Sequence, residues 1–300
     1  MNGWTDAQLQ MFQRAYTDEI DDSRLAHKVI PEYSLPNSAR SVSIDTFDYA
    51  PPGRVDDVTQ VSLDECQESF SLTRAQSEDE DLSSAQVIVR RAAQRLARRE
   101  DMRVFNDAIR DPISNAARGS VNFQDVVDVA PTPDVWNNPT GEGMVSAVAA
   151  AIAALDGDGY RSGYVMVAGP LLYRLLHTRA PGAADLPMVA VRGLLGQGPV
   201  HRSTVLPADE ALVLSMGAGR IDRAVAVSPV AEFLRVEQTQ VVPPAVPEEV
   251  RLWRLYQRLI PRFKETRSVV LLRLLAPAPA PAAGPAPAAP AKPGRGRPKA

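Results

Sequence analysis

Apolar residues recur at helical spacing near the N-terminus. Between residues 5 and 22 they fall at Leu9, Phe12, Tyr16 and Ile20, three or four positions apart. This spacing predicts an amphipathic helix with the four side chains on its buried face.

A longer helix is predicted over 81–110, with Ser83 or Ser84 as its N-cap and Pro112 at its end. It would be on the order of 40 Å long, since each residue adds about 1.5 Å. Its apolar stripe shifts at 99–101 and consists of Ala85, Val89, Ala92, Leu96, Met102, Phe105 and Ile109.

Between these helices the pattern changes from helical to extended. Residues 41–45 alternate as a half-buried strand does, and 48–70 are polar, with several acids and scattered β-branched residues. Such a segment has little apolar surface with which to pack against its own domain, so we expect it to project as an arm or hairpin.

The C-terminal half predicts further helices and several strands. Val145, Val148, Ile152 and Leu155 indicate a buried helix, and a short helix follows Pro170. Residues 180–199 predict a loop, because glycine and proline interrupt them. Strands are expected at 164–168, 204–206, 211–216, 224–227, 232–237, 250–259 and 268–275. The fold class is therefore α+β.

Composition and charge narrow the class of protein. The 300 residues carry 33 basic and 36 acidic side chains; without the last 25 residues the balance is 29 to 36, a net of −7, which argues against a globally basic nucleic-acid binder. The N-terminus has no signal-peptide pattern, and no apolar stretch reaches the roughly 20 residues of a membrane span. We therefore expect a cytoplasmic protein that makes no membrane contact.

Candidate catalytic chemistry is sparse. The three histidines lie far apart in the sequence, no metal-ligand spacing or nucleotide fingerprint occurs, and the lone Cys66 sits among acids that would raise the pKa of its thiol. These residues predict no enzyme activity, no metal site and no cofactor.

The last 25 residues differ from the rest of the chain. Ten alanines and eight prolines predict a disordered tail at 276–300. Its end, PGRGRPK (293–299), resembles an AT-hook, in which Arg295 and Arg297 would enter a narrow minor groove of DNA. The simpler interpretation, a solubilising cationic end, is preferred.

Three stretches, in this order, resemble encapsulins, the bacterial nanocompartment shell proteins that share the Hong Kong 97 phage major-capsid fold. The first is SFSLTR (69–74) with the following long helix and its REDMRVF end (99–105); the second is GYVMV (163–167) and the helix after it. The third runs from LP (206–207) through SPVAEFL (228–234) to the last strands. The Pro-rich 240–248, the tail and Pro261 depart from the family pattern.

The resemblance implies a division of the chain. Residues 1–45 would form an N-terminal helix and arm, 46–72 a projecting E-loop, and 136–219 the axial domain. The peripheral domain, with the long spine helix, would combine 73–135 with 220–275, leaving 276–300 as the tail.

The resemblance also implies sites. In the family the N-terminal helix and the strand after it face the lumen and help form a groove for a C-terminal peptide of the cargo. By this match the groove residues here would be Arg40, Val42 and Ile44, with Val230 and Phe233 as weaker candidates. The loop Ala183, Ala184, Asp185 and Leu186 resembles the segment that rings the fivefold pore, and some relatives bind a flavin.

Three functions follow as hypotheses. The first is a self-assembling icosahedral shell that encloses a cargo enzyme and has no catalysis of its own. The second is a viral or prophage capsid protein that packages DNA, which the negative body disfavours. The third is a DNA-associated protein acting through its tail.

Overall fold

The computed structural model describes residues 4–48, 54–116, 126–129, 141–160, 163–179, 184–217, 219–239 and 248–274. The helices are α1 (Asp6–Ser23), α2 (Leu25–Val29), α3 (Arg74–Glu78), α4 (Ser83–Asp101), α5 (Asp111–Ala116), α6 (Gly141–Gly157), α7 (Pro170–Leu176) and α8 (Pro187–Leu194). The strands are β1 (Glu32–Ser34), β2 (Ser41–Asp48), β3 (Arg54–Ser62), β4 (Asp64–Thr73), β5 (Val126–Val129), β6 (Tyr164–Ala168), β7 (Val200–Arg202), β8 (Glu210–Ser215), β9 (Ile221–Thr239), β10 (Glu248–Phe263) and β11 (Val269–Leu274). The predicted mixture of helix and sheet is confirmed.

The N-terminal helix forms where the spacing predicts it. Thr5 and Gln8 make a reciprocal capping box at its start, which satisfies two backbone N–H groups that have no partner within the helix. Phe12, Tyr16 and Ile20 are buried, as predicted, but Leu9 is 44% exposed. The prediction for Leu9 is wrong because the buried face of α1 centres on Phe12, Ala15 and Tyr16.

The long helix continues past its predicted end. A π-helical segment, Met102–Arg110, joins α4 to α5, and the backbone N–H of Asp111 donates to Asn106, five residues earlier. Pro112 therefore enters as the second residue of a new α-helical segment, a position where its missing N–H costs little. The buried stripe holds except at Met102, which is 42% exposed.

A four-stranded sheet, ordered β1-β9-β10-β4, carries the N-terminal helix and the long helix on one face. The aromatic side chains of Phe12, Phe70 and Trp253 meet between them, together with Val89 and Leu96 of α4. This core attaches α1 to the sheet.

A five-stranded sheet, ordered β5-β11-β8-β6-β7, is covered on both faces. Along β8, Ala211 and Val213 face the core formed with α6, α7 and α8, whereas Leu212 and Leu214 face the π-helical segment and α2. Such a strand reads as a continuous apolar run because both of its faces are buried.

The hairpin lies earlier in the chain than predicted. Strands β2 and β3 pair with each other as a separate two-stranded ribbon, while β4 pairs along its whole length with β10. Residues 64–70, expected from their polarity to project as part of an arm, therefore belong to the four-stranded sheet. Their alternating burial shows that only one face of β4 is covered.

Two prolines lie inside long strands. The predicted strands 224–227 and 232–237 are one strand, β9, that passes through Pro229, and β10 passes through Pro261. Both prolines occur where one edge is free among the described residues: β1 pairs with β9 only up to Val225, and β4 pairs with β10 only up to Leu259. A strand tolerates proline at such an edge.

Two predictions for residues 180–206 are wrong. The expected loop 180–199 contains α8, which begins with Pro187 and buries Met188 and Val191. The expected strand 204–206 is a turn, because the Ser203 hydroxyl accepts hydrogen bonds from the backbone N–H groups of Val205 and Leu206.

Candidate functional site

A groove of about 620 Å³ opens beside the N-terminal helix. One wall is α1, the other is the turn before β2, and the floor is formed by β9 and β10. We call this the α1 groove; its lining residues are Gln13, Tyr16, Asn37, Arg40, Val227, Ser228, Pro229, Val230, Tyr256 and Arg258.

The α1 groove has a mixed lining, in which polar groups outweigh the apolar side chains of Val227, Pro229 and Val230. Burial raises the pKa of Tyr16, whose hydroxyl also contacts the backbone of Ala231. The Arg258 guanidinium is held by the Ala39 carbonyl at 3.5 Å and by the Glu65 carboxylate at 3.6 Å.

Arg40 at the rim of the α1 groove is exposed and forms no ion pair with any residue that the structure describes. The groove therefore combines one fixed guanidinium with one free guanidinium. An extended segment with apolar side chains and a carboxylate would match this arrangement.

The five residues matched to the family groove are separated by the structure. Arg40 and Val230 line the α1 groove. Val42 is 8% exposed and packs with Ala224 and Ile260 in a small core under the hairpin, so its side chain is committed to packing rather than to a ligand.

Ile44 and Phe233 also lie outside the lining. Ile44 pairs opposite Thr59 in the hairpin, and Phe233 packs edge-on against Trp253, with ring centroids 5.6 Å apart. Sequence reasoning missed Tyr256 and Arg258, although their spacing of two residues on a strand indicates a shared face.

The predicted pore loop is partly described. Ala184 and Asp185 are exposed, and Leu186, the residue before α8, packs against the core formed with α6, α7 and α8. Ala183 lies outside the described residues, as do Arg295 and Arg297. Of the four matched positions, Asp185 is the charged one, and it is exposed.

A buried ionic network lies next to the α1 groove. Glu100 of α4 and Arg223 of β9 form an ion pair in which both side chains are fully buried. Gln257 donates to the second oxygen of Glu100 at 2.9 Å, and Arg24 lies 3.5 Å from that oxygen. The network joins α4, the α1–α2 junction, β9 and β10, and so fixes the frame on which the groove is built.

Asp101, next to Glu100, holds the start of α2. Its carboxylate accepts hydrogen bonds from the backbone N–H groups of Leu25, at 3.1 Å, and Ala26, at 2.7 Å. Burial raises the pKa of Asp101 to about 7, against the opposing effect of these two hydrogen bonds and of Arg24.

Replacing Asp101 with asparagine should change how stability depends on pH. In the wild type the unfolded chain releases the Asp101 proton near pH 4 and the folded chain near pH 7. Stability from this group is thus full below pH 4 and falls as the pH rises to 7, by on the order of 4 kcal/mol at most. Asparagine carries no charge but keeps only one of the two acceptor oxygens that hold Leu25 and Ala26, so Asp101→Asn should lose one hydrogen bond at every pH and gain stability relative to the wild type as the pH rises from 5 to 8.

Thermal unfolding of both proteins at pH 5 and pH 8 measures this gain. Asp107→Asn is the matched control, since Asp107 is an exposed carboxylate on the same long helix. Parallel pH profiles for the wild type and Asp101→Asn would contradict the assignment.

The part of the chain that the structure describes contains no activated thiol and no metal-binding cluster. Burial, followed by Glu100 and Asp64, raises the pKa of the Cys66 thiol to about 11, in the direction predicted. No group of three metal-ligating side chains comes together among these residues, and none of their helices is long and apolar enough to cross a membrane.

Comparison with solved structures shows that the chain has the fold shared by encapsulins and Hong Kong 97-like phage capsid proteins. The virus-like particle from Pyrococcus furiosus aligns with a TM-score of 0.66 at 13% identity, over 88% of this chain and 98% of that one. The holo-SrpI encapsulin complex from Synechococcus elongatus PCC 7942 aligns with a TM-score of 0.54 at 10% identity, over 82% and 85%. The Mycobacterium phage Bobi gives a TM-score of 0.56 at 14% identity, over 84% and 90%.

The sequence match assigns the chain to a narrower group of proteins than the fold comparison does. The profile of the family described as "encapsulating protein for peroxidase" matches residues 45–242, and the chain belongs to this encapsulin family. A search of curated proteins finds no match. The protein is therefore a shell-forming protein, and its family is structural rather than enzymatic.

Proposed function

We propose that this chain assembles into an icosahedral nanocompartment in the bacterial cytoplasm and captures a cargo enzyme through a C-terminal peptide bound in the α1 groove. The observation that carries the proposal is the groove itself, in which apolar side chains of β9 lie beside two guanidinium groups next to α1. In the encapsulins that this chain resembles, the corresponding helix faces the lumen. A peroxidase is the first cargo to test, because the family description names one.

The chemistry of the α1 groove indicates what the peptide must carry. Beyond Val225 the outer edge of β9 has no partner strand among the described residues, so an extended peptide has backbone groups beside it to bind. Val227, Pro229 and Val230 offer apolar contacts, and Arg40 offers a free positive charge. We infer a peptide with alternating apolar residues and an acidic side chain or terminal carboxylate near Arg40.

We also propose a pore at the fivefold axis of the shell. Exposed Asp185, repeated around a fivefold axis, would place a ring of carboxylates that favours cations entering the shell. The shell needs no cofactor for the capture of cargo, and any flavin would be an addition to this role.

The test begins with particles purified from native cells. Mass spectrometry should find one enriched enzyme besides the shell protein, and the C-terminal extension of that enzyme is then fused to a fluorescent protein and co-expressed with the shell. DNA of uniform length in the particles would instead identify a prophage capsid. Soluble monomers without particles would contradict the shell itself.

Charge reversal at the rim locates the binding site. Arg40→Glu should lower fluorescent cargo per shell by about tenfold, because it places a negative charge beside the peptide carboxylate. Arg90→Glu is the matched control, since Arg90 is an exposed arginine of α4 that lies outside the groove. Equal loading of both variants would show that the cargo binds elsewhere.

A further inference from the structure

A second cavity, of about 610 Å³, lies on the axial half of the chain, apart from the α1 groove. Pro170, Tyr173 and Arg174, which lie in its lining, are three and four positions apart on one face of α7, and His177, the C-cap residue of this helix, lines the same cavity. Leu171, and Arg202 at the end of the edge strand β7, complete the lining. We call it the α7 cavity.

The backbone around the α7 cavity is held in place by the fold. A Cβ atom at Gly169 would lie 1.9 Å from the carbonyl oxygen of Pro207, so only glycine lets α7 begin this close to the neighbouring loop. The N–H groups of Leu171 and Leu172 both donate to the carbonyl of Ala208, at 3.0 and 3.2 Å. The cavity is therefore set before any ligand arrives, which lowers the entropic cost of binding.

The position of Arg202 is fixed in a similar way. The backbone N–H of Ser203 donates to the carbonyl of Ala168 at 2.8 Å, and β7 pairs in parallel with β6 up to Arg202. The two arginines thus project from two different elements that are both anchored to the five-stranded sheet.

The side chains of the α7 cavity combine positive charge with aromatic surface. Arg174 and Arg202 are exposed, neither forms an ion pair with any described residue, and the lining contains no carboxylate. The rings of Tyr173 and His177 lie 4.7 Å apart. Guanidinium groups bind phosphate with paired hydrogen bonds, and aromatic side chains stack on bases.

We propose that the α7 cavity binds a nucleotide, with its base against Tyr173 and His177 and its phosphates on Arg174 and Arg202. The volume agrees, since small-molecule sites measure roughly 300–1,000 Å³. The site is independent of the α1 groove and of the cargo. It gives the shell a small-molecule ligand in addition to its role as a container.

The experiment uses assembled wild-type shells and a fluorescent ATP analogue, with ATP, adenosine and inorganic tripolyphosphate as competitors at constant salt. ATP should displace the analogue, while adenosine and tripolyphosphate should each be at least tenfold weaker, because each retains only half of the contacts. Arg174→Ala and Arg202→Ala should each weaken binding at least tenfold. Arg192→Ala should change the affinity for the analogue less than twofold, because Arg192 is an exposed residue of α8 outside the cavity.

Several results would overturn the proposal. Absence of binding would do so directly, and equal competition by tripolyphosphate would show a nonspecific anionic contact. A third result would be that Arg174→Ala shells fall apart while Arg202→Ala shells bind the analogue as the wild type does. This would show that α7 contacts a neighbouring copy instead. If Arg174→Ala does not assemble, Arg202→Ala on the other element provides the same measurement.

Discussion

Replacing Arg223 with methionine should destabilise the protein by about 3–5 kcal/mol, because it leaves the carboxylate of Glu100 fully buried without its main counter-charge. Arg24, 3.5 Å from Glu100, compensates only in part. For a chain of this size the loss corresponds to a fall of roughly 10 °C in the melting temperature of assembled shells, measured at fixed protein concentration.

Two further variants separate the buried charge from the loss of packing. Arg235→Met removes an arginine from the same strand, but Arg235 is an exposed partner of Glu237 and its loss should cost less than about 1 kcal/mol. The double variant Glu100→Gln/Arg223→Met should recover most of the stability, since it leaves no fully buried carboxylate unpaired and Glu32, which also loses Arg223 as a partner, is partly exposed. If Arg223→Met melts at the same temperature as the Arg235→Met control, Arg223 is not the main counter-charge of Glu100.

Truncating Trp253 to alanine should cost about 3–5 kcal/mol and release the N-terminal helix. Trp253 is 5% exposed and stacks on Trp4, with ring centroids 5.1 Å apart, and it contacts the ring of Phe12 at a tilt, with centroids 5.2 Å apart. Because α1 forms one wall of the groove, cargo loading should fall together with stability. Hydrogen–deuterium exchange should show faster exchange along α1 and unchanged exchange in α6, which packs in a separate core.

The matched variant for Trp253 is phenylalanine. The indole N–H is buried and has no acceptor among the described residues, so its removal forfeits no hydrogen bond, and the smaller ring keeps most of the stacking. Trp253→Phe should therefore retain α1 and cargo loading. Equal protection of α1 in the wild type and Trp253→Ala would show that the aromatic contacts do not hold the helix.

The sequence pattern predicts the elements whose cause is local. The spacing of Phe12, Tyr16 and Ile20 predicts α1, and the apolar run 164–168 predicts β6, because a helical or extended period is visible within about ten residues. The predicted boundaries of an element are wrong where a strand from a distant part of the chain determines which of its residues are buried. Strand β4 reads as a solvated arm until β10 covers one of its faces.

The candidate site shows the same division. The order of short motifs is sufficient to indicate the encapsulin family and to direct attention to Arg40 and Val230, which do line the α1 groove. It also selects Val42, and nothing in the sequence tells that Ala224 and Ile260 bury its side chain. The residues it misses include Tyr16 of α1 and Tyr256 and Arg258 of β10, which lie far apart in the sequence.

The sequence by itself determined the class of fold, the principal helices and the lack of any recognisable catalytic motif, since these depend on periodicity and on neighbouring residue types. Only the tertiary structure decided that Glu100, within the charged run 98–101, is buried against an arginine 123 positions away. It also decided which side chains border the two cavities. Burial and charge pairing depend on which distant elements meet, and that information is not present in any single stretch of the chain.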